Sequence, residues 1–435
     1  MEAKLTPGRH WLLDWVDEFD VTASEQIYDR IRFATPMERL YELCESQPKT
    51  LPSVRIPHRA HTIATGYGFE IGGRSACIHP NCRRVLINDN LTRLLQFFDH
   101  VVMEGPSPLT YSDEIAGISS DADFEYFSQT LAHDVEILLE MRVNGLADYT
   151  YFLNRPNMYC RHHMMIHADQ LGIGRIADPD VANRTIDRIL TEGVIRVNKL
   201  EDERWSTSVR HPLLKGLPVS ATWQRKEKPT KREVVEEVVA GKIAVMVSDV
   251  GAAKALQIPL AATAQTGFFD GYFGETSAPT VDDVAYHISI PILKDIGITD
   301  LLQLKRELPE EFSSFRNSLA GAIREAIERT GSKAPAEIAT QVEKNYLSPA
   351  FSDLLKSSKS SARSLYRKIG TGLTLGVTSA AFGALFSMPL VVAAGVAAAA
   401  TPLPQLYKFF DEKRDFEMSD MYFLWRAATR PTGTH

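Results

Sequence analysis

Between Asp353 and Asp411 the chain carries no acidic residue, and within that interval Gly370–Thr401 carries no charge of either sign. A run of about 32 uncharged residues must leave water somewhere, because a spanning helix needs only about 20. Two burials satisfy it. One is a hairpin of Ala/Gly-rich helices inside a C-terminal domain. The other is a segment that contacts a bilayer. Length favours the bilayer; the abundance of Ala, Gly, Ser and Thr, and Pro389 within the run, favour the protein core. Gly372, Gly376 and Gly383 recur near helical spacing and suit close helix packing in either setting. Lys356, Lys359, Arg363, Arg367, Lys368 and Lys408 give Leu354–Phe410 a formal charge of +6, which leaves −13 on the rest of a chain of net charge −7. Cations beside an apolar run match an anionic membrane surface. On that reading Arg367, Lys368 and Lys408 meet headgroups, and Val377, Phe382, Leu385 and Val391 meet lipid.

The remainder has an ordinary globular composition, with 44% hydrophobic and 24% charged residues. At 435 residues it has room for two or three domains. Its acidic balance argues against nucleic acid as a main partner. The first twenty residues contain no uninterrupted apolar stretch of the kind a signal peptide needs. Four cysteines, Cys44, Cys77, Cys82 and Cys160, do not make a disulfide framework at this length. The expected setting is the cytoplasm, with association at the inner membrane, and the partners expected are a membrane surface or another protein.

Local signals predict an α/β centre with a mainly parallel sheet, a helical N-terminal lead and a helical C-terminal region. Thr35 and Glu38 form a capping box around Pro36, ahead of an apolar face of Met37, Leu40, Tyr41 and Cys44. Three prolines in 47–60 predict an extended linker. Arg84–Asp89 reads as a strand, Leu91–Phe98 as a helix and His100–Glu104 as a second strand. Longer helices are predicted over Asp121–Val143, after the Asp178-Pro179 start as far as Gly193, and over Pro309–Thr330. Thr230 and Glu233 cap a helix expected to stop near Gly241. A strand Ile243–Ser248, a short helix Gly251–Leu256 and a strand Pro259–Thr263 follow. The expected division is a helical lead at 1–60, an α/β domain at 61–275 with a helical insertion over about 120–235, a helical region at 276–356 and the basic, apolar tail at 357–435.

Two segments, IPILKDIGITDLLQLKRELPEEFSSFRNSL (290–319) and NDNLTRLLQFFDHVVMEGP (88–106), resemble stretches of a family of uncharacterised bacterial proteins. The resemblance covers about an eighth of the chain and implies a bacterial origin; that family has no activity to carry over. A stress or phage-defence effector that works at the membrane is the role expected from this resemblance together with the tail.

Two chemical alternatives compete with that role. Asp89 and Asp249 are placed at the ends of predicted strands, with Glu104, Asp113 and Glu114 after the second strand. Carboxylates gathered at strand ends can hold Mg²⁺ for phosphodiester hydrolysis. This order resembles a PIN-type nuclease, and Asp89, Glu114 and Asp249 would then be its catalytic acids. The chain departs from that pattern in having Asn88-Asp89-Asn90 for Asp-x-Asn, and in the long interval before Asp249. The second alternative is a structural zinc ion. Cys160, His163 and His167 share a face if helical, and Cys77 and Cys82 would complete the set. Ordinary cap, turn and packing roles account for the same residues. No phosphate-binding glycine loop, nucleophile elbow or H-E-x-x-H motif is present. The aromatic group Phe268, Phe269, Tyr272 and Phe273 suits a partner-binding loop or an internal plug.

Overall fold

A computed structural model describes residues 3–47, 54–56, 62–65, 80–154, 161–170, 174–200, 203–214, 219–258, 260–261, 281, 288, 297–330, 335–350 and 423. A short strand β1 (Ala3–Lys4) pairs in parallel with β2 (Val54–Arg55). Between them lie α1 (Trp11–Glu18), α2 (Ile27–Ile31) and α3 (Ala34–Ser46). The central unit then runs β3 (Thr62–Thr65), α4 (Pro80–Leu95), β4 (His100–Glu104), α5 (Pro108–Gly117), α6 (Asp121–Val143) and β5 (Thr150–Leu153). It continues through α7 (Arg161–Gln170), α8 (Pro179–Glu192), the strands β6 (Val194–Lys199), β7 (Arg204–Arg210) and β8 (Val219–Gln224), the long helix α9 (Lys231–Leu256) and β9 (Leu260–Ala261). Three further helices follow: α10 (Ile298–Glu307), α11 (Pro309–Thr330) and α12 (Pro335–Val342), the last passing into a π-helical turn, Glu343–Leu347.

The strands β5-β4-β3-β9 form one wholly parallel sheet, as the α/β reading requires. Successive residues of a strand point to opposite faces. Ile63, Val101, Met103 and Phe152 therefore join a core built with α1, α4, α6 and α10. Ala64, Val102, Tyr151 and Leu153 join a second core with Ala252, Ala253 and Leu256 of α9. Both faces are covered, which explains why these strands read as apolar runs rather than alternating ones. Burial of a side chain such as Leu256 contributes about 2 kcal/mol.

Four helices begin or end where their capping residues predict. Helix α6 spans Asp121–Val143, with Ser120 accepting the Asp123 amide. Helix α8 has Asp178 as its cap, Pro179 in its first turn and Gly193 just beyond it. Helix α11 occupies Pro309–Thr330. At the start of α9 the Thr230 side chain accepts the Glu233 amide and Glu233 accepts the Thr230 amide at 2.7 Å. Arg225 grips the same carboxylate with two bonds of 3.0 Å, and with Thr230 it holds Glu233 down to about 2.

Elsewhere the structure corrects the sequence reading. Arg84–Asp89 is not a strand but the middle of α4. Ile87, Leu91, Leu94 and Leu95 recur at helical spacing on the buried side, and a short apolar run cannot display that period by itself. The sheet instead uses Thr62–Thr65, a strand the sequence reading lacked. Ile243–Ser248 is likewise helical. Helix α9 passes through Gly241 without a break, with Val235, Val239, Ile243, Met246, Val247 and Val250 buried at spacings of three and four. Packing here overrides the strand preference of Val and Ile. Thr35 does not cap α3, which starts at Ala34 with Phe33 as its N-cap; Pro36 fits in the first turn, where no amide bond is required. The insertion expected to be helical contains the antiparallel sheet β6-β7-β8, registered by pairs such as Trp205 with Trp223.

Candidate functional site

In parallel α/β sheets ligands bind beyond the carboxyl ends of the strands. That edge is formed here by Thr65, Glu104 and Leu153-Asn154, and α5 starts beside it after the short link Gly105–Ser107. Ser107 caps α5 through its hydroxyl. His10 reaches the same edge from α1. Its ring packs against Gly105 so closely that a Cβ there would stand 2.3 Å from Nε2. The ring also meets Phe152 edge-on at 5.3 Å. Nδ1 accepts the Leu12 amide at 3.2 Å, which caps α1 and places the proton of the neutral ring on Nε2. Nε2 has no hydrogen-bond partner among the described residues. Burial lowers the His10 pKa to about 3 against a weaker upward pull from the Pro106 carbonyl, so the imidazole is neutral at physiological pH.

Under this edge lies a buried polar network. Asp134 of α6 accepts Arg83 of α4 at 2.7 Å on Oδ1 and the Tyr111 hydroxyl of α5 at 2.6 Å on Oδ2. Burial lifts the Asp134 carboxyl above the usual carboxylate range, while Arg83 and the Tyr111 hydroxyl pull it back. Burial first, and Asp134 second, hold the Tyr111 hydroxyl protonated well above the usual phenol range. Nearby, burial pushes the Cys44 thiol up to about 12, so it is no nucleophile at neutral pH. Asp134 joins the other two by these bonds and ties α4, α5 and α6 together. Their chemistry is that of a charge-compensated pin.

A second buried cation stands at the other end of α4. Lys305 of α10 donates to the Leu95 carbonyl at 3.1 Å and the Phe98 carbonyl at 2.9 Å, closing the helix C-terminus. Its Nζ lies 4.1 Å from the Phe312 ring centroid. Burial lowers its pKa to about 7; Asp99 opposes that and Arg316 adds to it. Arg316 pairs with Asp99 at 2.6 Å.

Two of the predicted acids, Asp89 and Asp249, are not at strand ends. Asp89 lies on α4, Glu114 on α5 and Asp249 on α9. Helices α4 and α5 cover one face of the sheet and the end of α9 covers the other. Asp249 is buried. Glu104 ends β4, and Asp113, which is exposed, and Glu114 follow that strand on α5, each as predicted. Of the zinc candidates, His163 and His167 stand one turn apart on α7, and Cys82 is exposed on α4. Cys77 and Cys160 lie outside the described residues. Among the described residues no group of three or more His, Cys, Asp or Glu is placed to hold a metal ion. The aromatic loop at 267–279 and all seven membrane-contact candidates, Arg367, Lys368, Val377, Phe382, Leu385, Val391 and Lys408, also lie outside them. No helix among the described residues is long and apolar enough to cross a membrane.

Arg83, Tyr111, Asp134, His10 and Lys305 were not singled out from sequence. Two of them carry a signal that could have found them. Asp134 interrupts the apolar stripe Leu131, Val135 and Leu138, and Lys305 stands one turn after Leu301 on the buried side of its helix. A charge on an apolar stripe requires a buried partner.

No family model, curated protein or solved structure matches this chain.

Proposed function

We propose that the protein is a membrane-associating α/β protein whose contact with lipid is made by the segment around Gly370–Thr401. The observation that carries this reading is the stretch from Leu354 to Phe410, free of acids, with six cations around an uncharged run. Basic residues near an anionic leaflet contribute about 1 kcal/mol each, and apolar residues add to this on insertion. The test is flotation of the full chain with vesicles of phosphatidylcholine and phosphatidylglycerol, 3:1. The protein is expected in the lipid fraction. Charge reversal at Arg367 and Lys368 is expected to weaken recovery at low salt, and Val377→Asp with Leu385→Asp to reduce it at any salt. Wild-type protein that stays in the dense fraction overturns the reading.

A further inference from the structure

Side chains alternate along a strand, so the sheet β6-β7-β8 has an inner and an outer face. Ile195, Val197, Val209, Val219 and Trp223 point inward and join the core of α8 and α9. The register fixes what lies on the other side. Arg196 stands opposite Ser208, and Ser208 opposite Ser220. Arg210 pairs with Val194 at one end of these rows, and Arg204 stands toward the other. The Leu200 amide donates to the Arg204 carbonyl at 2.8 Å, so Leu200 continues β6 on the same side. All three arginines are exposed there, with Val194 at 54% and Leu200 at 41%. The other outer residues of the three strands carry hydroxyl or amide groups, and none is an acid; Glu203 belongs to the turn beyond the rows. Elsewhere exposed arginines take acids, as Arg39 takes Glu18, Arg142 takes Asp17 and Arg232 takes Asp187. Among the described residues no acid pairs with Arg196 or Arg210.

We infer that this outer face is the side of the α/β body that rests on an anionic bilayer. Its arginines meet headgroup phosphates, and Val194 and Leu200 enter among the headgroups. The inference rests on the membrane reading above and gives the contact a surface within the described body. Guanidinium groups bind phosphate through paired N–H donors, and serine hydroxyls add single ones. The face is about 23 Å long and about 10 Å wide, a platform from which all three arginines reach one plane. Exposed aliphatic side chains beside cations suit the bilayer interface. They add nothing to the binding of a nucleic acid backbone. The face also has no ring for an unpaired base to stack on, because Trp205 and Trp223 pair in an inner row. The body as a whole is acidic, but at physiological salt charge acts over about 8 Å, so the face that touches decides. Each arginine changes partitioning about fivefold. Three of them orient a body that the tail brings to the surface.

The experiment uses the full chain with vesicles of phosphatidylcholine and phosphatidylglycerol, 3:1, at low salt. Amide hydrogen exchange across β6–β8 is expected to slow when vesicles are added. Arg196→Ser with Arg210→Ser is expected to lower partitioning about 25-fold. Arg196→Lys with Arg210→Lys keeps the charge and should stay near wild type. So should Arg30→Ser with Arg184→Ser, which removes two exposed cations from α2 and α8. Wild type that stays off the vesicles overturns the membrane reading and this inference together. Wild type that floats while exchange in β6–β8 is unchanged, or while the serine pair partitions as wild type does, overturns this inference alone. An equal loss in all three pairs traces to folding or net charge and also overturns it. Tighter binding to a short DNA duplex than to vesicles, lost in the serine pair, gives the face to nucleic acid instead.

Discussion

Lys305→Met isolates the consequence of placing an amine in the core. Methionine keeps the apolar stem but gives the Leu95 and Phe98 carbonyls no donor, a loss of about 1–3 kcal/mol. Against this stands the burial of a positive charge. The Lys305 pKa is about 7 in the folded chain, against about 10.4 in an unfolded one. Between these values the unfolded chain binds more protons than the folded one. Stability therefore rises with pH from about 7 upward and is flat, as far as this group is concerned, below 7. The slope is about 1.4 kcal/mol per pH unit, so between pH 7 and pH 9 wild type gains about 2–3 kcal/mol that the methionine variant does not. The other charges around the site are Asp99 and Arg316, paired with each other, and Arg306 near Asp148 on the outside. They are common to both proteins and cancel in the comparison. The assay is urea unfolding at pH 6, 7, 8 and 9, followed by the fluorescence of Trp11 and Trp15, which share the core with Leu304 and Phe312. At pH 9 wild type is expected to be the more stable. By pH 7 the gap should have closed or reversed. Parallel curves with a constant gap would refute the reasoning, because they would mean that Lys305 titrates alike in both states.

Two further substitutions test the carboxyl edge. Asp134→Ala removes the buried carboxylate that pairs with Arg83 and is expected to cost about 3–5 kcal/mol in urea unfolding, more than Arg83→Met with Asp134→Asn combined. Gly105→Ala would force a Cβ into the His10 ring and is expected to cost about 1–3 kcal/mol; restoration by His10→Ala in the double variant would identify the clash, and a stable single variant would deny it.

Helix ends were readable in the sequence because a cap is a local event. Asp178 and Thr230 each bond an amide two or three residues away, and no distant contact is needed to place them. The parallel class was readable for a similar reason, since β4 and the small-residue strand β9 each follow a helix within a few residues. The two false strands failed where local preference and tertiary packing disagree. In α9 the run Ile243–Ser248 has strand-forming residues, but its neighbours Val235, Val239 and Val250 continue a helical stripe that only a longer window reveals. Because one false strand ended in an acid and the other was followed directly by one, the error carried into the nuclease candidates Asp89 and Asp249. The buried network was less accessible. The Arg83–Asp134 bond joins residues 51 apart in sequence, and the Lys305–Leu95 bond joins residues 210 apart. An apolar stripe broken by a charge announces that a partner exists without saying where.

Two groups of cations differ in how their charge is compensated. Inside the α/β body cations are matched by acids or carbonyls: Arg83 by Asp134, Arg316 by Asp99, and Lys305 by two helix-terminal carbonyls. The six cations of Leu354–Phe410 have no acid within their own stretch of sequence, and the rest of the chain carries −13. An anionic surface would attract the first and repel the second. At physiological salt the reach of either force is about 8 Å, so only the part of the chain that touches the surface counts. On the membrane reading proposed above, such a surface attracts the cations of the tail.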